Sequence, residues 1–187
     1  MKKGTFTYFV YICLVLLLCT TDIYGQLDVQ QLTEQQGLGN NTVNTIHQDR
    51  KGFLWIGTDI GMTRYGGNYF HTYNLSRPGG EPISISNIEE TEDRYLWLES
   101  EDGILSCFDK QQEKYLPIQW NDEIKQEEIQ KLYSTGNTLY AILPNGLYIL
   151  DVKSDGKMIQ LNKKPILENK KLLQSLNGQG TNLYLTD

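Results

Sequence analysis

The chain has 187 residues, 21% charged and 39% hydrophobic, with a formal net charge of −6. Such a composition belongs to a globular chain of ordinary domain size and not to a disordered one. The acidic balance excludes the clustered positive charge of a nucleic-acid-binding surface. Of three cysteines, Cys13 and Cys19 fall in an N-terminal apolar segment, which leaves Cys107 alone in the body. A single thiol makes no internal disulfide, redox pair or zinc site, and Cys107 reads as a small buried apolar residue.

The first 25 residues read as an export signal. Lys2 and Lys3 supply the positive start, Phe6 to Cys19 the apolar core, and "TTDIYG" the exit toward a small residue at Gly25. This is the order of a secretory signal peptide. The core is 14 residues long, short of the ~20 that span a bilayer. Cleavage after Gly25 is expected, with retention as an uncleaved anchor as the alternative because Ile23 is bulky for its place. Leu18 argues against lipidation at Cys19. The mature chain, 26–187, is expected in the periplasm.

The body is repetitive. Trp55 in "FLWIGTDIGM" is followed 42 residues later by Trp97 in "YLWLESEDGI", then by Tyr140 and Tyr184 at intervals of 43 and 44. An aliphatic residue precedes each anchor by eight or nine places: Ile46, Ile88, Leu132 and Leu176. A glycine follows the first three anchors by six: Gly61, Gly103 and Gly146. Periods of this length mark solenoids, propellers or arrays.

The first unit shows what is repeated. "TVNTIHQD", "FLWIGT", "MTRY" and "YFHTY" are four short runs rich in aromatic and β-branched residues, separated by "RKG", "DIG" and "GGN". These are strands bounded by turn residues. Gly66, Gly67 and Asn68 are expected to supply the positive φ of a tight hairpin turn. The second run is apolar on both alternating faces, as in a strand covered on both sides. Radially stacked sheets satisfy that requirement. The expected fold class is therefore all-β, a partial β-propeller of about three and a half four-stranded antiparallel blades, truncated at its C-terminal end. The blades are placed at about 40–80, 81–120 and 126–165, with a half blade at 170–187. Helical repeats are the competing architecture. Only "NDEIKQEEIQKLY", Asn121 to Tyr133, has the periodicity of a helix, and it reads as a short helical turn before blade three.

Gly37 to Tyr73 closely resembles the two-component regulator propeller repeat. Gly37, Leu38, Asn40, Asn41, Val43, Ile46, Asp49, Gly52, Leu54, Trp55, Ile56, Gly57, Thr58, Gly61, Arg64, Tyr65, Gly67 and Phe70 all match that pattern. Gly39, Met62 and Gly66 depart from it. In the second unit, Tyr95 replaces the turn glycine and Glu99–Ser100 replace Gly-Thr. The resemblance implies the N-terminal periplasmic sensor part of a Bacteroidetes-type hybrid two-component sensor histidine kinase. It also implies a parent protein anchored in the inner membrane and responding to oligosaccharides released from glycans. The implied partners are that ligand, the rest of the kinase and a second subunit of a dimeric receptor. The sequence contains no kinase motif, so this chain is expected to lack enzymatic activity and to need no cofactor.

Individual residues support no sharper chemistry. His47 and His71 are the only histidines, and both read as edge or solvent-facing side chains without catalytic partners. The carboxylates of "EETED" (Glu89 to Asp93) and "ESED" (Glu99 to Asp102) lack the ligand spacing of a calcium loop and read as solvated. Trp55, Trp97 and Tyr140 read as packing between blades rather than as sugar-stacking platforms. In a four-stranded meander, the loops between strands two and three lie on the same side as the inter-blade loops. That side is expected to gather Asn40, Asn41, Asp59, the Leu75–Asn87 loop and Glu101–Asp102. Asn41, Asp59, Arg77 and Glu101 are the candidate ligand-binding residues, with no catalytic or metal-binding residue assigned. The alternatives to a sensor are a self-assembling exported interaction module and, further off, a propeller lyase or glycosidase.

Overall fold

The computed structural model describes residues 8, 29–92, 94–120, 129–168, 175–179 and 182–186, with side chains as far as residue 166. Met1–Gln31 and Leu32–Asp187 form separate compact units. The second carries all the described strands, and apart from Tyr8 the export segment lies outside the described residues.

Four sheets follow one another along the chain. Strands β1 (Val43–Gln48), β2 (Leu54–Thr58), β3 (Gly61–Tyr65) and β4 (Phe70–Asn74) form the first. Strands β5 (Ile85–Thr91), β6 (Tyr95–Ser100), β7 (Leu105–Asp109) and β8 (Lys114–Leu116) form the second. After β9 (Ile118–Trp120), the strands β10 (Lys131–Thr135), β11 (Thr138–Leu143), β12 (Gly146–Ser154) and β13 (Ile159–Glu168) form the third. Strands β14 (Ser175–Gln179) and β15 (Asn182–Thr186) form a two-stranded sheet. Strands consecutive in sequence pair antiparallel within each sheet, except that β9 joins the third sheet beside β13 and parallel to it.

The repeat seen in the sequence is a repeat of register. Each anchor aromatic stands opposite the same place on strand one: His47 with Trp55, Glu89 with Trp97, Tyr133 with Tyr140 and Asn177 with Tyr184. Both of the first two blades also carry a bulge at the same point, between Val43 and Thr45 and between Ile85 and Asn87. A bulge reverses the alternation of side chains, so Val43 shares a face with Ile46, and Ile85 with Ile88. The first strands β1, β5, β10 and β14 lie side by side in that order, which is the inner wall of a propeller.

The core sits between blades. Trp55, Met62 and Tyr73 of blade one meet Ile85, Ile88, Leu96, Leu98 and Phe108 of blade two. Tyr95, Trp97, Leu105 and Cys107 of blade two meet Leu132, Leu139, Ala141, Leu143 and Tyr148 of blade three. Strand β6 thus sends Leu96 and Leu98 to one neighbour and Tyr95 and Trp97 to the other, which explains why it is apolar on both faces. Each such buried side chain contributes roughly 1.5–3 kcal/mol. The anchor indoles are satisfied alike: Trp55 Nε1 donates to Asp49 Oδ2 and Trp97 Nε1 to Thr91 Oγ1, both at 2.8 Å. Asp49 also accepts from the backbone N–H groups of Lys51 and Phe53 at 2.9 and 3.0 Å, so one side chain closes the turn and holds the indole.

Several expectations are corrected. Of Gly66, Gly67 and Asn68 in the β3–β4 turn, only Gly67 has a positive φ, 91°. Asn68 does not, and Gly66 instead lies close under the Phe53 ring. The turn-glycine place in blade two falls on Arg94, by the register that sets Tyr95 opposite Thr91 on β6. Lys131–Tyr133, the end of the stretch with helical periodicity, is strand β10, and residues 121–128 lie outside the description. Strand β9 was not legible in the sequence. Pro117 ends β8, its carbonyl accepts from Ile159 N at 2.9 Å, and Ile118–Trp120 then pair in parallel with β13 on the outer edge of blade three.

Candidate functional site

The residues singled out as ligand-binding candidates fall on one side of the sheets, where strands two and three are joined and where the chain passes between blades. Asp59 occupies the β2–β3 turn. Its Oδ1 accepts from Asn44 Nδ2 at 3.0 Å and from Ser84 Oγ at 3.1 Å, and Asn44 Nδ2 also lies 3.0 Å from Ser84 Oγ. The Asn44 hydrogen bond, with those of Ser84 and Thr42, lowers the Asp59 pKa. Asp59 is therefore an ionised acceptor held between strand one of blade one and the loop entering blade two.

Arg77 heads a tight loop. Its N–H donates to Glu81 O at 2.8 Å, its carbonyl accepts from Gly80 N at 2.9 Å, and Ser76 bridges Pro82. The positive φ values of Gly79 and Gly80, 111° and 90°, let the chain reverse there. The guanidinium bonds Asp102 in the β6–β7 turn and lies 3.7 Å from Glu81. Asp102 in turn accepts from Ser100 Oγ. Arg77 thereby ties the inter-blade loop to the second blade, and Glu101 stands exposed beside Asp102.

Asn41 has a different task. Its Oδ1 accepts from Glu34 N at 2.9 Å, and its own N–H donates to Glu34 Oε1 at 2.8 Å. It fastens a short 3-10 helix, Glu34–Gln36, to the start of blade one. Ser84 and Asp102 belong to the loops expected on this face, whereas Asn44 was missed. Hairpin register was the available signal for Asn44, since the pairing of Val43 with Thr58 brings it beside Asp59.

A groove of about 280 Å³ opens on the same side, lined by Leu75, Ile104, Ser106, Tyr115, Leu116 and Pro117 among others. Tyr115 is fixed there by a 2.8 Å bond from its hydroxyl to Tyr73 O, and burial raises its pKa. The face thus combines polar groups with apolar surface and one aromatic ring.

The opposite ends of the strands carry a buried charge cluster, one member of which, Glu90, the sequence reading placed in solvent. Lys110 bonds Glu90 and lies 3.3 Å from Asp49 Oδ2, and all three side chains are almost wholly buried. Arg50 N donates to Glu90 Oε2 at 3.2 Å, and His47 Nε2 stands 3.5 Å from the same oxygen. Burial works against the Asp49 charge, but the Trp55 indole, Lys110 and the Phe53 N–H together outweigh it and lower its pKa.

The carboxylates facing blade three are likewise engaged. Glu89 accepts from Ser134 N and Oγ at 2.8 and 2.6 Å, and Glu99 accepts from Leu132 N at 3.2 Å. Burial raises the Glu99 pKa despite that bond. Asn87 donates to Leu132 O at 3.2 Å. Together these three side chains take the place of a neighbouring strand along the free edge of β10. Among the described residues, no group of three or more His, Cys, Asp or Glu side chains is arranged to hold a metal ion, and no helix is long and apolar enough to cross a membrane.

Residues 37–59 match the family model of the two component regulator propeller. The first two strands of blade one are therefore similar to a two component regulator propeller repeat. The match covers β1, β2 and the turn between them, including Asp49 and Trp55, whose roles are described above. The extracellular domain of the hybrid two component system BT3049 from B. thetaiotaomicron has the same fold. The TM-score is 0.52 and the identity 23%, over 79% of this chain and 22% of that one. The extracellular domain of BT4673 from the same organism aligns at 19% identity and a TM-score of 0.46, over 65% of this chain and 15% of that one. The chain thus spans less than a quarter of the length of the solved domains that it matches. No curated protein matches it in sequence.

Proposed function

We propose that this chain is the ligand-recognition propeller segment of an extracytoplasmic sensor within a two-component signal transduction protein. The observation that carries the reading is the regulator propeller repeat at residues 37–59, set in a sheet series whose fold is that of a hybrid system's extracellular domain. In this reading residues 1–25 export the chain to the periplasm, and the rest of a sensor kinase, anchored in the inner membrane, transmits the signal.

The ligand is an oligosaccharide derived from glycan breakdown, and it binds on the loop face. Asp59, Arg77, Asp102 and Glu101 offer acceptors and a donor to sugar hydroxyls, while Tyr115 and Leu75 offer apolar surface to the faces of the ring. The segment binds without transforming its ligand. Titration calorimetry of the chain against plant and host oligosaccharides tests this. Saturable heat for one glycan class, lost in Arg77→Ala and Asp59→Ala, is the expected result. Silence across all classes would remove the oligosaccharide, and new reducing ends in the mixture would remove the non-catalytic reading.

A further inference from the structure

The bulge of β1 falls on Asn44, which stands between the pairs Val43–Thr58 and Thr45–Gly57 and has no partner of its own on β2. A bulge re-aims the side chain of the extra residue. Blade two carries the same bulge at Ser86, between the pairs Ile85–Ser100 and Asn87–Glu99. There the side chain folds back on its own blade, Ser86 Oγ donating to Glu99 O at 2.9 Å. Asn44 instead reaches toward the next blade, with its Nδ2 3.0 Å from both Asp59 Oδ1 and Ser84 Oγ. The place of Asp59 falls in blade two on Glu101, because Ser100 holds the register of Thr58, and Ser86 bonds Glu99 O rather than that carboxylate. Of these two blades, blade one is the one that joins its bulge residue to its turn carboxylate.

These bonds fix how the Asn44 amide faces. Its NH2 end is the one that a carboxylate accepts from, so Nδ2 is turned to Asp59 and Oδ1 is left as an acceptor. The Asp59 carboxylate has about four acceptor sites. Asn44, Ser84 and Thr42 are the groups that bond it, so it too has capacity left, and both residues are exposed. We propose that Asn44 Oδ1 and Asp59 form a paired acceptor for two adjacent hydroxyls of an uncharged sugar residue; this deepens the oligosaccharide reading given above and rests on it. Two acceptors on neighbouring side chains suit a ligand that brings two donors from neighbouring atoms, as a vicinal diol does. Ser84, from the loop that enters blade two, holds both side chains before the ligand arrives, which lowers the ordering cost of binding. The carboxylates of Asp59, Glu101 and Asp102 share this side of the sheets and repel a uronate or a sulfate, so the residue held here is neutral.

Titration calorimetry of the chain against neutral xylo-, galacto- and manno-oligosaccharides, and against oligogalacturonides, is the test. Heat is expected from a neutral class and none from the oligogalacturonides. Asn44→Ala should weaken that binding about tenfold, the scale of a lost hydrogen bond. Deoxy forms of the neutral ligand locate the diol: removing either of its hydroxyls should cost the wild type a similar factor. Asn44→Ala should then lose little more on the deoxy form that lacks its partner hydroxyl, the non-additivity of two groups in contact. Asn44 is exposed and has no positive φ, so the alanine variant should melt near the wild type. Ser86→Ala, at the corresponding bulge of blade two, is the control and should bind as the wild type does. Binding that Asn44→Ala leaves intact, or that is confined to oligogalacturonides, overturns the acceptor pair and leaves the oligosaccharide reading standing. So does a wild type that binds every deoxy form as tightly as the parent ligand. No heat from any glycan removes both.

Discussion

Replacing Lys110 by methionine should be among the costliest single changes in the protein. Lys110 neutralises two carboxylates from different blades, Asp49 of the first and Glu90 of the second, and all three are almost wholly buried. Methionine keeps the apolar stem and removes the charge, which leaves two buried anions facing each other. Breaking a buried ion pair from one side costs about 3–5 kcal/mol. Asp49 keeps the Trp55 indole and two backbone N–H donors, and Glu90 keeps Arg50 N, so the lower end, about 3 kcal/mol, is expected. For a unit of this size that is a loss of roughly 6–12 °C in Tm.

Urea and thermal unfolding, followed by tryptophan fluorescence and circular dichroism, measure it. Lowering the pH should narrow the deficit, because the variant's carboxyls relieve their repulsion by taking up protons. In the wild type the sign is opposite. The folded Asp49 pKa is lowered, so its contribution is complete above the unfolded value of about 3.9 and fades as pH falls through the folded value. The triple variant Asp49→Asn, Glu90→Gln, Lys110→Met should recover most of the loss, since no unpaired charge remains. A single variant within about 1 kcal/mol of wild type, or a triple no better than the single, would refute this account of the blade-one to blade-two contact.

Gly57→Ala should cost about 1–3 kcal/mol in denaturant unfolding through overpacking, because the added Cβ would lie 2.6 Å from Thr45 Cγ2 and 2.9 Å from Ile85 Cγ2. Glu99→Gln should stabilise the chain at neutral pH by on the order of 1 kcal/mol, since glutamine can still accept from Leu132 N. The folded Glu99 pKa is raised, so its contribution is full below the unfolded value of about 4.3 and is lost as pH rises through the folded value; that slope should vanish in the variant. Cys107 is wholly buried and its thiol pKa is raised by burial, so a thiol reagent should leave it untouched in native protein and label it in denaturant.

What could be read from the sequence was periodic. Trp55, Trp97, Tyr140 and Tyr184 fall every 42–44 residues because each holds one register in its sheet, and register survives even where turn chemistry decays. The two-faced apolar pattern of β6 could be read for the same reason. The buried carboxylates could not. Glu90 and Glu99 have the composition of a solvated run, and their partners, Lys110 and the β10 backbone, are 20 and 33 residues away in sequence. Glu99 does stand where blade one has Gly57, a substitution visible in the sequence. Its meaning depends on what the next blade brings: Ile85 presses on Gly57, whereas β10 offers Glu99 an N–H. On the loop face, topology placed Asp59, Arg77 and Glu101 together correctly, but a strand order says nothing of partners. It could not separate Asn41, committed to the 3-10 helix, from Asn44, which holds Asp59.

Strand β9 changes what counts as a module here. It leaves the chain before blade three begins, yet it binds the strand with which blade three ends. Blade one can be cut out between its first and fourth strands without severing a hydrogen-bonded ladder. Blade three cannot: an excision starting at β10 would strip its outer strand, so the transplantable piece runs from 118 to 168. The boundary drawn by sequence repetition and the boundary drawn by backbone pairing therefore part company at this one place, where duplication, grafting or shortening of the array would have to move both ends of the clasp together.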